Sequence, residues 1–396
     1  MNKASFDPVD PESVAMSASK IEEARALLVA LRATGKYPAI QVCVRRRGQI
    51  VLHEALGDYR PICGNARQPV DRETRFLNFS ISKSISATAL HILLDRGIVH
   101  VDDPVCWYIP EFGQQGKQHI TLRHILTHSA GIPMIFWHLH DDLIRDWDRI
   151  IAKICAQKPW HFPGRRTSYH IISGGYVIAE IIRRADGRDI ATFLREEIRE
   201  PLGFDTLGYG IDPSRYWQTA SCERVDRLPP AALTGLMSRL LDVDLVQALA
   251  VMNRPAVFES VIPAGNIVST AEETSRFFQM LVNGGQLGER QILSERQVQR
   301  ATAEQVMASM DWTLAFTPQR YGLGFILGRK RTAFNVFGRN TQQTFGHLGF
   351  MRQLAWGDRA RQIAACFLTT GIPVRPGKEV LILREFQDTI RDACQD

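Results

Sequence analysis

Lysine is scarce in this chain, with nine residues against 39 arginines, so a lysine in a chemically suggestive place carries extra weight. Other absences narrow the field. No run of about 18 apolar residues occurs, which excludes a conventional membrane-spanning helix. The N-terminus has no signal-like apolar stretch, and the two absences together predict a soluble cytoplasmic protein. The seven cysteines are odd in number, widely spaced and without a C-x-x-C pair, which predicts free thiols in a reducing compartment. No G-x-x-x-x-G-K-[ST] loop is present, and no G-x-G-x-x-G opens a helix after a strand, so nucleotide binding has no support. Internal repeats and low-complexity segments are also missing. A net charge of +6 is mild for this length, and the triplet Arg45-Arg46-Arg47, before Gly48, reads as a solvated hairpin end rather than a nucleic-acid patch.

What remains is 396 residues, 45% hydrophobic and 23% charged, enough for one two-lobed unit or two domains. Residues 1–18 read as a loose arm. A helix follows to about 34, then strands at 39–45 and 49–57. Helical periods dominate from Ser80 to about 310, including runs through Gly174–Ile182 and Glu272–Leu281. Strand patterns return at Gly322–Leu327, Phe334–Phe337, Gln353–Trp356 and Ile363–Leu368, before a final helix at about 378–393. Strands at both ends around a helical middle predict an α+β fold whose sheet is built from distant segments. An α/β lobe from about 19–75 and 310–396, with a helical lobe from 76–309, would leave a cleft between them as the default site.

Within that frame, Ser80 and Lys83 stand one helical turn apart, which puts a hydroxyl and an amine on one helix face. A desolvated lysine there is able to be neutral and take the serine's proton. Ser17-Ala18-Ser19-Lys20 fits the same S-x-x-K spacing, but Ser19 with Glu22 reads as a capping box opening a solvated helix. Ser80 instead leads into Ala87-Thr88-Ala89-Leu90-His91-Ile92-Leu93-Leu94, apolar on most sides and predicted to be buried.

Several further residues are candidates of lesser weight. Tyr169 and His170 follow the loop residues Phe162-Pro163-Gly164; Tyr169 would be a second proton carrier if cations depress its pKa, and His170 a rival base. Gly346-His347-Leu348-Gly349-Phe350 precedes a strand, and its glycines would let backbone N–H groups approach a ligand. His138-Leu139-His140-Asp141-Asp142 tempts a zinc reading, but no later ligands complete the set, so no metal is expected. Thr127-His128-Ser129-Ala130-Gly131 lacks the first glycine of a G-x-S-x-G elbow and is rejected as the nucleophile. Residues 134–165, rich in aromatics (Phe136, Trp137, Trp147, Trp160), read equally as a cap over an apolar cleft or a hydrophobic patch of the second lobe.

Taken in order, these pieces resemble the serine β-lactamase and penicillin-binding-protein superfamily, in its class C β-lactamase-like esterase branch. The resemblance runs from about residue 20 to 371 through Ser80-x-x-Lys83, Leu94–Val105, Ile120–Pro133, Tyr169-His170, Pro201-Leu202-Gly203, Asn283-Gly284-Gly285, Tyr321–Gly324 and Gly346-His347-x-Gly349. It implies a central antiparallel sheet flanked by helices beside an all-helical lobe, and an acyl-enzyme on Ser80 with Lys83 and Tyr169 sharing protons. The backbone N–H groups of Ser80 and Phe350 would form the oxyanion hole, with His347, Gly349 and His170 lining the substrate site and no cofactor needed. Two departures stand out. Ile171 sits where antibiotic-degrading members place an asparagine, and His347 replaces their K-T-G lysine. A neutral histidine attracts a β-lactam carboxylate less than a lysine. The resemblance therefore implies hydrolysis of a small acyl ester, with acyl transfer, β-lactam or peptide chemistry, and a non-catalytic binding protein as the alternatives; it leaves oligomeric state open.

Overall fold

In the computed structural model, the described residues are 6–133, 141–226, 251–311, 313, 317–330, 335–350, 352–375 and 377–395. The two ends of the chain share one nine-stranded antiparallel sheet. β1 (Ala39–Arg46), β2 (Gln49–Tyr59) and β3 (Gln68–Pro69) come from the first end. β4 (Val306–Asp311), β5 (Thr317–Tyr321), β6 (Ile326–Leu327), β7 (Thr344–Leu348), β8 (Leu354–Asp358) and β9 (Ile363–Thr369) come from the second. The spatial order is β3-β2-β1-β9-β8-β7-β6-β5-β4. The seam between the ends is β1 against β9, with Ile40 opposite Thr369 and Arg46 opposite Ile363.

Both faces of this seam are covered, so β1 is buried along its whole length, its apolar residues together with Gln41, Arg45 and Arg46. α1 (Ala18–Ala33) and α5 (Glu379–Asp392) pack together on one face. Val42, Val44 and Phe367 enter that core with Leu28 and Phe386. The strand's period of two sends Cys43 and Cys366 to the opposite core, with Phe277 and Phe278 of α4 (Ala271–Val282). That second core continues into α2 (Ser82–Asp95) and α3 (Ser173–Asp186), which pack against each other. All seven cysteines are free. Among the described residues, no helix is long and apolar enough to cross a membrane.

Several expectations are corrected. Residues 9–17 are tied down rather than loose: the Val9 amide donates to the Ile50 carbonyl at 2.8 Å, and Met16 is fully buried. α1 is capped by Ser17, whose hydroxyl accepts from the Lys20 amide, while Ser19 only pairs with the Ser17 hydroxyl. Arg45 and Arg46 are buried, not solvated, because they close a strand covered on both faces; only Arg47 emerges, in the turn. At 322–327 only Ile326 and Leu327 pair as strand. Phe334 lies outside the described residues, and Val336-Phe337 form a turn. There the Asn335 amide spans the loop, donating to the Thr341 hydroxyl at 2.8 Å and the Arg329 carbonyl at 3.1 Å, in place of a ladder.

The buried Arg45 guanidinium pairs with Glu272 of α4, and its Nε donates to the Ser275 hydroxyl at 3.2 Å. Burial pushes the Glu272 carboxyl upward while Arg276 and Arg45 pull it back, so this pair pins helix to sheet at a desolvation cost. Glu272→Ala, which strands the Arg45 charge, is expected to cost about 3–5 kcal/mol in urea unfolding, whereas Arg276→Ala, which leaves Glu272 paired with Arg45, is expected to cost less.

Candidate active site

α2 is buried from Ser82 to Leu93, and the sequence explains why: its small residues let neighbours pack close, and apart from Lys83 and His91 its long ones are apolar. Ser80 sits just before it, in a 3-10 turn spanning Phe79–Ile81. Phe79 takes φ 45°, a left-handed conformation that a bulky side chain adopts only when its surroundings enforce it. Asn78 supplies much of that enforcement. Its amide N–H donates to the Ile267 carbonyl at 2.8 Å, and its side chain donates to the hydroxyls of Ser269 at 2.8 Å and Thr274 at 3.2 Å. The Phe79 ring packs on that of Phe350, 5.9 Å between centroids, at the end of β7. Gly349 permits that approach, since a Cβ there would stand 3.0 Å from Gln353 Cβ and 3.2 Å from the Asn78 carbonyl.

Lys83 is the second residue of α2, one turn after Ser80; its Nζ lies 2.9 Å from Ser80 Oγ and donates to the Ala264 carbonyl at 3.1 Å. Asn266 holds the loop that presents this carbonyl: its side chain donates to Val257 and Ser260 and accepts from Ile262, each at 2.7 Å. α3 passes close to the same loop at Gly175, where a Cβ would meet the Ala264 nitrogen at 2.6 Å. Lys83 is 7% exposed, and this burial lowers its pKa to about 7.

The Tyr169 ring lies 4.7 Å from Lys83 Nζ. Burial pushes its phenol well up, partly offset by a hydrogen bond with Ser80, and the Asp311 carboxylate raises it further. The expected depression by cations is therefore reversed. The nearest amine is itself desolvated, and the nearby charge is an anion. Asp311, at the end of β4 and fully buried, accepts the Tyr169 amide at 3.1 Å, the Thr313 hydroxyl at 2.7 Å and the Tyr321 hydroxyl at 3.2 Å. It thus ties the tyrosine to the sheet edge.

Histidines complete the surroundings. His347 lies within β7, not before a strand as expected, and is 2% exposed. Its Nδ1 donates to the Leu348 carbonyl at 2.9 Å, and burial with Lys83 nearby lowers its pKa to about 3. His128 faces Tyr169 at 4.6 Å between centroids; its Nδ1 accepts the His170 amide at 3.0 Å, so Nε2 carries the proton. His170 has no exposed surface, and burial lowers its pKa to about 3. Its expected contact with substrate is corrected to a place inside the protein, beside Lys83 and Gly174. The rejected Ser129 is buried against the Thr127 hydroxyl at 2.9 Å. His138 and His140 of the weighed zinc cluster, with Phe136 and Trp137, lie outside the described residues. No metal-ligating cluster occurs among the described residues. A larger open groove of about 640 Å3 near Asn283, Glu295 and Arg359 includes none of Ser80, Lys83, Tyr169 or His347.

A family model described as Beta-lactamase matches residues 24–384. The chain belongs to the Beta-lactamase family. Its curated relatives include the esterase/beta-lactamase LipL of Mycobacterium tuberculosis, 28% identical over 300 residues, covering 72% of this chain and 67% of LipL. Esterase EstB of Burkholderia gladioli is 26% identical over 54% of this chain and 58% of its own length. Among solved structures, a penicillin-binding-protein homologue from Caulobacter crescentus shares a TM-score of 0.79 and 25% identity, covering 94% of this chain and 97% of the other. A family VIII carboxylesterase matches the fold at TM-score 0.80 and 22% identity, covering 94% and 98%.

Asn78, Ala264, Asn266 and Asp311 escaped the sequence reading. Pro263-Ala264-Gly265-Asn266 signals a turn, but nothing local says that a carbonyl of it meets Lys83. Asp311→Ala leaves two buried amides, those of Tyr169 and Thr313, and two hydroxyls without their acceptor, so a loss of about 1–3 kcal/mol is expected in thermal unfolding. Asp311→Asn is expected to recover most of it.

Proposed function

We propose that the protein is a serine esterase that forms an acyl-enzyme on Ser80. The observation that carries this is a lysine amine, with its pKa brought to about 7, 2.9 Å from a serine hydroxyl. The opposite shifts of Lys83 and Tyr169 support a division of labour: the neutral amine is the base and the protonated phenol the acid. Lys83 takes the Ser80 proton as Oγ attacks the ester carbonyl. The tetrahedral oxyanion is held by the backbone N–H groups of Ser80 and Phe350. As the C–O bond breaks, Tyr169 gives its proton to the departing alkoxide and is reprotonated from the Lys83 ammonium. Water then attacks the acyl-enzyme, loses a proton to this pair and returns the proton to Ser80.

LipL and EstB, both named as esterases, support the substrate class. His347, held neutral, and Ile171, whose side chain cannot hydrogen-bond, weigh against a β-lactam carboxylate and amide. Seven free thiols suit a reducing compartment, and we assign the enzyme to the cytoplasm.

With an activated short-chain ester, a burst of alcohol matching the enzyme concentration is expected, and Ser80→Ala should cut kcat at least about 1,000-fold. A fluorophosphonate should add one adduct mass to the wild type and none to Ser80→Ala; an unlabelled wild type refutes the nucleophile. Because Lys83 works only when deprotonated, kcat/KM should rise about tenfold per pH unit up to near pH 7 and then level. Tyr169 must keep its proton, and its raised pKa places any alkaline fall above about pH 10. An acid limb at pH 4–5 would remove Lys83 from the role.

A further inference from the structure

A small, partly open cavity of about 20 Å3, room for one water, is lined by Lys83, Ser86, His128, His170, Gly174 and Gly324 among others. Ser86 is already engaged: its hydroxyl lies 2.9 Å from the Ser82 carbonyl and 2.5 Å from Tyr209 Oη, and it also meets the Pro263 carbonyl. His128 spends Nδ1 on the His170 amide. His170 is different. It is fully buried, and neither ring nitrogen has a hydrogen-bond partner; the Ile125 carbonyl pulls on the ring without reaching bonding geometry. Buried polar atoms in native proteins are almost always satisfied, by ordered water where the protein supplies nothing.

Lys83 faces the same cavity with capacity to spare. As a neutral amine its lone pair takes the Ser80 hydroxyl proton and one N–H goes to Ala264, which leaves a second N–H. We propose that the cavity holds one ordered water, accepting this N–H and donating to the His170 ring, and that His170 is thereby a positioning residue for the general base. This rests on Lys83 being the base. The titratable groups around Lys83 are Tyr169 and His170 before α3, His128 on the 127–131 loop and His347 on β7, with Asp311 behind Tyr169 and Tyr209 behind Ser86. The three histidines are held neutral by burial, so the water joins the Ala264 carbonyl and the Ser80 hydroxyl in partly solvating the ammonium.

Removing that water makes the ammonium less favourable still, so the Lys83 midpoint should fall rather than rise. The test follows the 13Cε resonance of Lys83 against pH in the whole protein, assigned by its loss in Lys83→Met, so it does not depend on turnover. His170→Phe, which fills and dries the cavity, is expected to lower the midpoint by about half a unit or more. His170→Gln, which still holds a water, should stay near the wild-type value. Gly174→Ala places a Cβ against His170, 3.1 Å from its Nδ1 and 3.2 Å from its Cβ, so it narrows the cavity beside the ring and should shift the midpoint in the same direction as His170→Phe. Should His170→Phe fail to fold, Gly174→Ala decides. Unchanged midpoints in the folded variants overturn the proposal, as does a wild-type crystal structure at high resolution with the cavity dry. A shifted midpoint in a protein that turns over no ester would leave the water in place and refute the esterase reading instead.

Discussion

Everything in this site depends on keeping bulk water away from one amine. Moving the Lys83 pKa from 10.5 to about 7 disfavours its ammonium by about 5 kcal/mol, comparable with the net stability of many domains. That penalty has to be met by the packing around it, and the packing comes from five separate stretches of chain. α2 carries the lysine, the 260–267 loop gives it a carbonyl, and α3 closes one wall. Tyr169 and His347 close others. The chemistry is thus a property of the assembled core rather than of a four-residue motif.

The same dryness sorts the neighbouring groups. Burial drives phenols up and imidazoles down, so Tyr169 keeps its proton while His128, His170 and His347 refuse one. One environment therefore yields a neutral base, a protonated acid and a ring of uncharged dipoles, with no carboxylate among the described residues paired to the lysine. Asp311 acts from behind, through the tyrosine's backbone, and joins that loop to the edge of the sheet.

How much of this was legible beforehand follows the range of the interactions. The apolar surroundings of α2 were readable in Ala87–Leu94, because helix burial is written in local periodicity, and they separated Ser80 from the Ser17 copy. The strands at the seam were readable for the same reason. Long-range pairing was not. The reversal of the Tyr169 shift comes first from burial among distant segments, with Asp311, 142 positions away in the chain, adding to it. The burial of Arg45 depends on Glu272, and the withdrawal of His170 from the cleft depends on how α3 meets α2. Asn335 misled in another way, since its side chain bonds the loop where β-forming neighbours suggested a strand.

The seam between β1 and β9 has a temporal side. Arg46 pairs with Ile363, so the sheet remains open until more than 300 further residues have been made. At roughly 5–20 residues per second, β1 and β2 wait about 15–60 s for their partner strand during synthesis. During that interval an apolar strand edge stands exposed, and such a high-contact-order sheet closes slowly even once it is complete. The nucleophile's environment is withheld for just as long, since β7 lies beyond residue 340. A nascent chain truncated short of β9 carries Ser80 and Lys83 as an ordinary alcohol and an ordinary ammonium.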